Sequence, residues 1–505
     1  MRLHKTIAMA ALALGIAGAA QAQTTLRIGL AEDPDVLDPT LARTYVGRIV
    51  FSSICDKLFD IDANLKPVPQ LALSHETSAD GKTVTIKLRP NVVFHDGEKF
   101  DAEAAKFSLD RHLTMTGSFR KPELGSVASV EVVDPLTIKL SLKAPFSPLL
   151  AQLTDRAGMM VSPKAAKAAG DKFGNHPVCA GPYKFVEGVQ QDRIVVEKFD
   201  KYWNKDNVHI DKIVYLPITD STVRLANLRS GALDLIERPL ATDIKTIRSI
   251  PKVKLTTAVT IGYLGISINL ANGPAASTPL AKDPRVRKAF ELALDRDAIN
   301  QVAFNGEFVP GNQWVNPQNF YYQQSVPIPK RDVAKAKALL KEAGVSGPMT
   351  IDFMVPNNPE LRQVAELIQS MVAEAGFDMK IRLTEFATSL KEAEDGKFQA
   401  FLIGWSGRTD PDGNIYSFAA CKQPQNNSAY CDAKTDADLN RAREVTDPAE
   451  RKKIYEAVAQ RMIGNNEGHV IYLYHARVLI AHVERLEGFT QMPDGLVRVV
   501  GLKLK

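Results

Sequence analysis

Between Asp332 and Ile403 the apolar residues switch repeatedly between helical and strand spacing, and this switching limits the fold more tightly than any other feature of the chain. Asp332 to Ala343 reads as a helix ended by Gly344, and Met349 to Val355 as a strand. Pro359 to Ala375 reads as a helix ended by Gly376, with Leu361, Val364, Ile368 and Met371 facing inward. Phe377, Met379, Ile381 and Leu383 then alternate with Asp378, Lys380 and Arg382 as a second strand, and Phe398 to Ile403 forms a third. Strands alternating with helices predict an α/β lobe that binds ligands beyond the carboxyl ends of its strands. The third strand empties at Gly404 into Trp405, Ser406, Gly407, Arg408, Thr409, Asp410, Pro411, Asp412 and Gly413. One aromatic, one guanidinium and two carboxylates can offer a small polar ligand a stacking face, a bidentate donor and acceptors. The same residues also read as turn chemistry, with Asp410-Pro411 and Asp412-Gly413 as turn dipeptides and Arg408 paired to Asp410.

At the other end of the chain, Arg2 and Lys5 precede an uncharged run from Ile7 to Ala20 and the cleavage pattern Ala20-Gln21-Ala22. This predicts a secretory signal over residues 1–22 and a mature chain beginning near Gln23. No cysteine follows the cleavage site to carry a lipid anchor, and no later run reaches membrane-spanning length, so a soluble chain in a bacterial periplasm is expected. The formal net charge of +5 falls to about +3 once Arg2 and Lys5 are removed, too balanced to point to nucleic acid or a membrane surface. About 480 remaining residues suffice for two or three lobes with their own cores. Cys55, Cys179, Cys421 and Cys431 sit in a compartment that favours disulfides. Cys421 and Cys431 enclose a short polar segment, so a local staple there is the economical pairing and leaves Cys55 with Cys179; four cysteines still allow three connectivities. Neither pair has the spacing of a zinc site.

Leu26, Ile28 and Leu30 alternate with Arg27 and Gly29 as an opening strand, and Tyr45 to Phe59 is apolar at helical spacing. Ser78 to Arg111 reads as a strand, a turn, a short strand and a helix capped by Asp101. Within it, DGKTVTIKLR, VVFHDGEKFDAE and the ending SLDR closely resemble the signature of the family 5 solute-binding proteins of ABC importers, the dipeptide, oligopeptide and nickel-binding group. The resemblance continues through VVDPLTIKLSL at Val132 to Leu142, PVCAGPYKFV at Pro177 to Val186, Tyr202-Trp203, and the helix and turn from Asp220 to Leu235. It also covers YLGISINL at Tyr263 to Leu270 and the helix at Asp283 to Asn300, where Asp283 caps and Pro284 follows. A further helix, capped by Asp447, runs through Met462, and Val470 to His475 is a strand.

The resemblance implies an α/β clamp of the periplasmic-binding-protein type (type II, cluster C), with two lobes and an extra subdomain inserted in the first. The expected division is 23–55, 177–265 and 465–505 for the first lobe, 56–176 for the inserted subdomain and 266–464 for the second lobe. The chain is expected to cross between lobes along Tyr263 to Leu270 and Val470 to His475. Its partners would be a small polar solute, a membrane permease pair and their ATPases, with the protein a monomer that uses no cofactor. Bending about the crossings would bury the solute between the lobes.

In peptide binders of this family the loop after the Gly-Trp pair commonly supplies an aspartate to the ligand's ammonium; here the matching place holds Arg408. An arginine there favours a ligand that is anionic or N-blocked at that end. Trp405 is the expected stacking wall, Asp410 and Asp412 further contacts, and Tyr45, Trp314 and Tyr321 additional ones from turn-rich segments. Two alternatives remain: a periplasmic hydrolase using Asp410 and Asp412 as a carboxylate pair, and a metal-chelate carrier, for which His95, His469 and His475 form no visible cluster. No phosphate-binding glycine loop, zinc-protease motif or nucleophile elbow occurs; Gly404-Trp405-Ser406-Gly407 misses the last by one residue.

Overall fold

The computed structural model describes residues 23–505, so the expected signal over 1–22 lies outside the described residues. Three sheets organise the chain. The first has seven strands, with Thr25–Leu30 near its centre, parallel to Lys212–Pro217 on one side and to Leu235–Glu237 on the other. Leu26, Ile28 and Leu30 are fully buried, because the central strand is packed on its core face against the helix Tyr45–Ile54 and neighbouring apolar residues. Arg193–Lys198 and Tyr183–Val189 extend one edge, and Arg477–Val483 and Val253–Val259 the other.

The second sheet carries the predicted alternation. Met349–Pro356 runs parallel to both Phe377–Thr384 and Ala400–Trp405, with the helix Pro359–Ala373 laid on this sheet. Val364, Ala365, Ile368 and Val372 of that helix are buried, the face that its helical spacing specifies. The third sheet, Ala72–Thr77, Thr83–Leu88, Thr137–Leu142 and Val127–Asp134, is antiparallel and lies within the stretch expected as the inserted subdomain. The short strand expected between Leu88 and Asp101 is reduced to a single bridge, Val93 to Lys99, because Pro90 and the Asp96-Gly97 turn leave too few residues to pair.

The predicted caps form. Asp101 accepts from the Ala104 amide, Asp283 from Arg285 and Asp447 from Glu450, at 2.7–3.0 Å. The last of these helices ends at Ala459 and continues as one π turn, Gln460–Gly464. Cys55 is bonded to Cys179 and Cys421 to Cys431. The first bond ties together the two ends of the stretch that holds the third sheet.

The crossings sit a few residues from their expected places. Tyr263–Ile268 and Val470–His475 both belong wholly to the second sheet, where they pair with each other. The chain therefore leaves the first sheet at Thr260–Gly262 and returns to it at Ala476, before Arg477–Val483. An apolar strand buried on both faces carries no periodic mark of which sheet it joins.

Candidate functional site

The strand Ala400–Trp405 delivers the polar loop to the boundary between the two large sheets, with Trp405 paired to Tyr263. Two glycines set how closely the loop approaches the crossing. A Cβ on Gly407, whose φ is +86°, would lie 2.4 Å from the Ile261 carbonyl carbon, and one on Gly262 would lie 1.9 Å from the Trp405 oxygen. Asn414, buried and not singled out from the sequence, pins the loop from inside. Its Oδ1 accepts from the Arg408 amide at 2.7 Å and from Trp405 Nε1 at 3.0 Å, while its Nδ2 donates to the Arg408 carbonyl at 3.2 Å. Asn414 lies on the first turn of a helix, Asp412–Ala419, which the Asp-Pro and Asp-Gly dipeptides had masked as turn.

Against that frame the loop's charges point away from open space. Arg408 is buried, donates through Nη1 to the Gly407 carbonyl at 2.8 Å, places its guanidinium 4.5 Å from the Trp405 ring centroid, and sets Nε 3.3 Å from Asp155. Asp155 is itself buried, and Arg48 meets it at 2.5 Å. Burial acts to raise its carboxyl, but Arg408, Arg48 and Arg156 together hold it well below the usual carboxylate range. Burial pushes the Arg408 guanidinium down to about 10. Asp410 forms a bidentate pair with Arg451 at 2.6 and 2.7 Å, and Asp412 pairs with Arg443 at 3.0 Å and accepts from Gln152 at 3.2 Å. None of Arg408, Asp410 and Asp412 lines the cavity described next. The hydrolase alternative therefore finds its two carboxylates neutralised by arginines and facing protein.

The cavity, about 330 Å³, lies between the first and second sheets and draws walls from both lobes. Trp405 and Tyr45 line it, whereas Trp314 and Tyr321 do not. Trp314 is buried near Tyr455 and Tyr472, and Tyr321 packs edge-on against Tyr455 at 5.7 Å. Tyr45 donates its hydroxyl to the Gly495 carbonyl and carries the Arg238 guanidinium 5.3 Å from its ring centroid. Phe119, Phe386, Leu361 and Phe418 supply apolar wall. Trp405 meets Phe418 edge to face at 4.9 Å, so its orientation is fixed by both an aromatic neighbour and the Asn414 hydrogen bond.

The cavity's charges lie outside the predicted loop. On the first lobe's side, Arg238 pairs with Glu32 at 3.1 Å and Glu237 at 2.6 Å, and Arg224 donates to the carbonyls of Thr219 and Arg238. Glu360, in the first turn of Pro359–Ala373, faces this group from the second lobe. Burial pushes its carboxyl up, and Arg238 and Arg224 partly offset that. Among the described residues Glu360 has no hydrogen-bond or ion-pair partner, and Arg477, which donates Nε to the Glu307 carbonyl at 2.8 Å, has no carboxylate partner. Arg43 of the first lobe is paired with Glu394 of the second across the cavity wall. Burial depresses His469 to about 3, so the imidazole at this wall is neutral. Glu360 and Arg477 are ordinary helix and strand residues in the sequence, and no local pattern there marks them.

A cavity walled by two lobes, crossed twice by the chain and charged on both sides, defines a solute-binding protein. The chain belongs to the bacterial extracellular solute-binding proteins, family 5: residues 66–426 match the family's middle region. It is a substrate-binding component of the kind that serves ABC importers. The glutathione-binding protein GsiB of Salmonella paratyphi A is 33% identical over 97% of this chain and 97% of its own. The binding protein AgaA in complex with agropinic acid, from A. tumefacien R10, is 28% identical with a TM-score of 0.87 and covers 95% of this chain and 99% of its own. DppA from Helicobacter pylori, an ABC transporter-associated periplasmic binding protein in complex with the peptide STSA, shares the fold at a TM-score of 0.86 and 24% identity, covering 95% and 98%. These relatives are binding proteins, and among the described residues no helix is long and apolar enough to cross a membrane.

Proposed function

We propose that this chain works in the periplasm, after loss of residues 1–22, as a monomer that captures a short zwitterionic peptide-like solute of the chemistry of glutathione. It passes the solute unaltered to a permease pair driven by ATPases. The observation that carries the reading is a pair of unpartnered opposite charges at the lobe boundary. Two side chains of opposite charge on the cavity wall, Glu360 and Arg477, have no ion-pair partner among the described residues, whereas Glu32 is paired with Arg238 and Glu394 with Arg43. A ligand ammonium can pair with Glu360, and in a desolvated cleft such a charge-assisted bond contributes roughly 1.5–3 kcal/mol. Arg477 offers a guanidinium to a ligand carboxylate, and Trp405 with Phe119 flanks the apolar part. The expectation of a ligand N-blocked at one end rested on Arg408, whose engagement with Asp155 removes its basis. The 33% identity to glutathione-binding relatives along nearly the whole chain supports the same ligand chemistry. Among the described residues no three His, Cys, Asp or Glu side chains converge as metal ligands, so no observation favours the metal-chelate alternative.

Titration calorimetry with glutathione and with its N-acetylated form tests the reading. Glutathione is expected to bind with Kd on the order of 1 μM or tighter, and the acetylated form about tenfold or more weakly. Equal affinities, or no heat with either, contradict it.

A further inference from the structure

A second cavity, about 830 Å³, lies where residues 117–126 and 143–146 meet Tyr416, Asn440 and Arg443 of the second lobe. It shares Phe119, Glu394 and Pro424 with the first cavity. What stands at their common wall is side chain. Arg43 holds Glu394, and its guanidinium lies 4.9 Å from the centroid of Phe119. Both partners of this pair keep some solvent exposure, 19% and 26%, and two long side chains can change rotamer without moving a strand.

The second cavity differs from the first in charge. Among the described residues Lys121 has no carboxylate partner, and Lys143 only donates to the Gly125 carbonyl at 3.0 Å. Its carboxylates are Glu394, already held by Arg43, and the exposed Glu444. Arg443 is taken by Asp412 and lies over the rings of Tyr416 at 3.6 Å and Phe146 at 4.6 Å, so the floor is aromatic and the rim is basic. A basic rim above an aromatic floor, continuous with a peptide-sized cavity, suits a chain that ends in a carboxylate.

We propose that this cavity is a second ligand compartment, reached when the Arg43–Glu394 pair swings aside, which takes the carboxylate-bearing distal end of peptide-like solutes too long for the first. This rests on the reading of the first cavity given above. The first cavity alone, about 330 Å³, stands at the lower end of the size range of small-molecule sites, roughly 300–1,000 Å³, and the second, about 830 Å³, stands towards its upper end.

The test is calorimetry on the full mature chain with glutathione and with glutathione extended at its carboxyl end by two alanines. Lys121→Glu combined with Lys143→Glu alters only exposed side chains. It is expected to leave glutathione within about twofold and to weaken the extended peptide about tenfold. If the wild type binds glutathione but not the extended peptide, or if the double variant binds both as the wild type does, the second compartment is overturned and the first stands. If the wild type binds neither, both readings fall.

Discussion

In the proposed reading, Glu360 on the cavity wall is the residue that meets the ligand's ammonium. Its carboxyl has an ordinary value of 4.5 and is raised by burial, with Arg238 and Arg224 partly offsetting, so as pH rises past 4.5 the unliganded folded chain gives up this proton later than the unfolded chain does. The sign follows: its contribution to unliganded stability is full below 4.5 and is lost as pH rises through the raised value. A bound ammonium reverses this by favouring the ionised form. Affinity for glutathione should therefore fall on acidification from pH 7, beginning above pH 4.5. Glu360→Gln should flatten that profile and cost about tenfold in affinity at pH 7. Calorimetry across that range decides, and an unchanged profile in the variant removes Glu360 from the site. Tyr45 and Trp405 line the cavity, and the sequence offers them as candidates because an aromatic beside turn residues is conspicuous; Trp314 and Tyr321 carry the same mark and do not line it. Glu360 and Arg477 were not legible there, because what makes them distinctive is the absence of a partner, and partners come from distant segments.

The charged residues of the loop after Ala400–Trp405 join three parts of the chain, while Ser406 at its start lines the cavity. Arg408 reaches Asp155, Asp412 meets Gln152, Arg443 donates to the Pro122 carbonyl, and Ser147 bonds the Val445 carbonyl at 2.6 Å. Arg48 of the first helix donates to Ser406 at 3.1 Å. Its residue types announced charge pairing, and the turn dipeptides suggested local partners. Asp410 and Asp412 find arginines 41 and 31 residues on, in Arg451 and Arg443, and Arg408 meets Asp155 more than two hundred residues back, separations that no local pattern encodes. Asp155 is the centre of this join, facing Arg48, Arg156 and Arg408 at once. Its removal leaves buried guanidinium charge uncompensated, so Asp155→Ala should destabilise the fold by about 3–5 kcal/mol, read by chemical denaturation. A loss under about 1 kcal/mol would show that the cluster is screened by solvent instead.

For the whole molecule, the second lobe was the most readable part. Its strands and helices alternate over long, strongly periodic segments, and the observed parallel pairing of Met349–Pro356 with both neighbours follows from that alternation. The crossings were harder to place, since Tyr263–Ile268 and Val470–His475 are apolar throughout and only pairing shows that both belong to the second sheet. In the arrangement described, Arg43–Glu394, Arg48–Ser406 and Arg408–Asp155 bridge the lobes around the cavity. Capture by closure implies that bridges of this kind part and re-form, with the chain expected to bend where it passes between the sheets, at Thr260–Gly262 and Ala476. The most direct measurement is small-angle X-ray scattering of the mature chain with and without glutathione. Closure predicts a smaller radius of gyration, approaching that calculated from the bridged arrangement, when glutathione is present and intact at the end of the experiment. Identical profiles under conditions where calorimetry shows saturation, or glutathione consumed during the measurement, would contradict capture by a closing clamp.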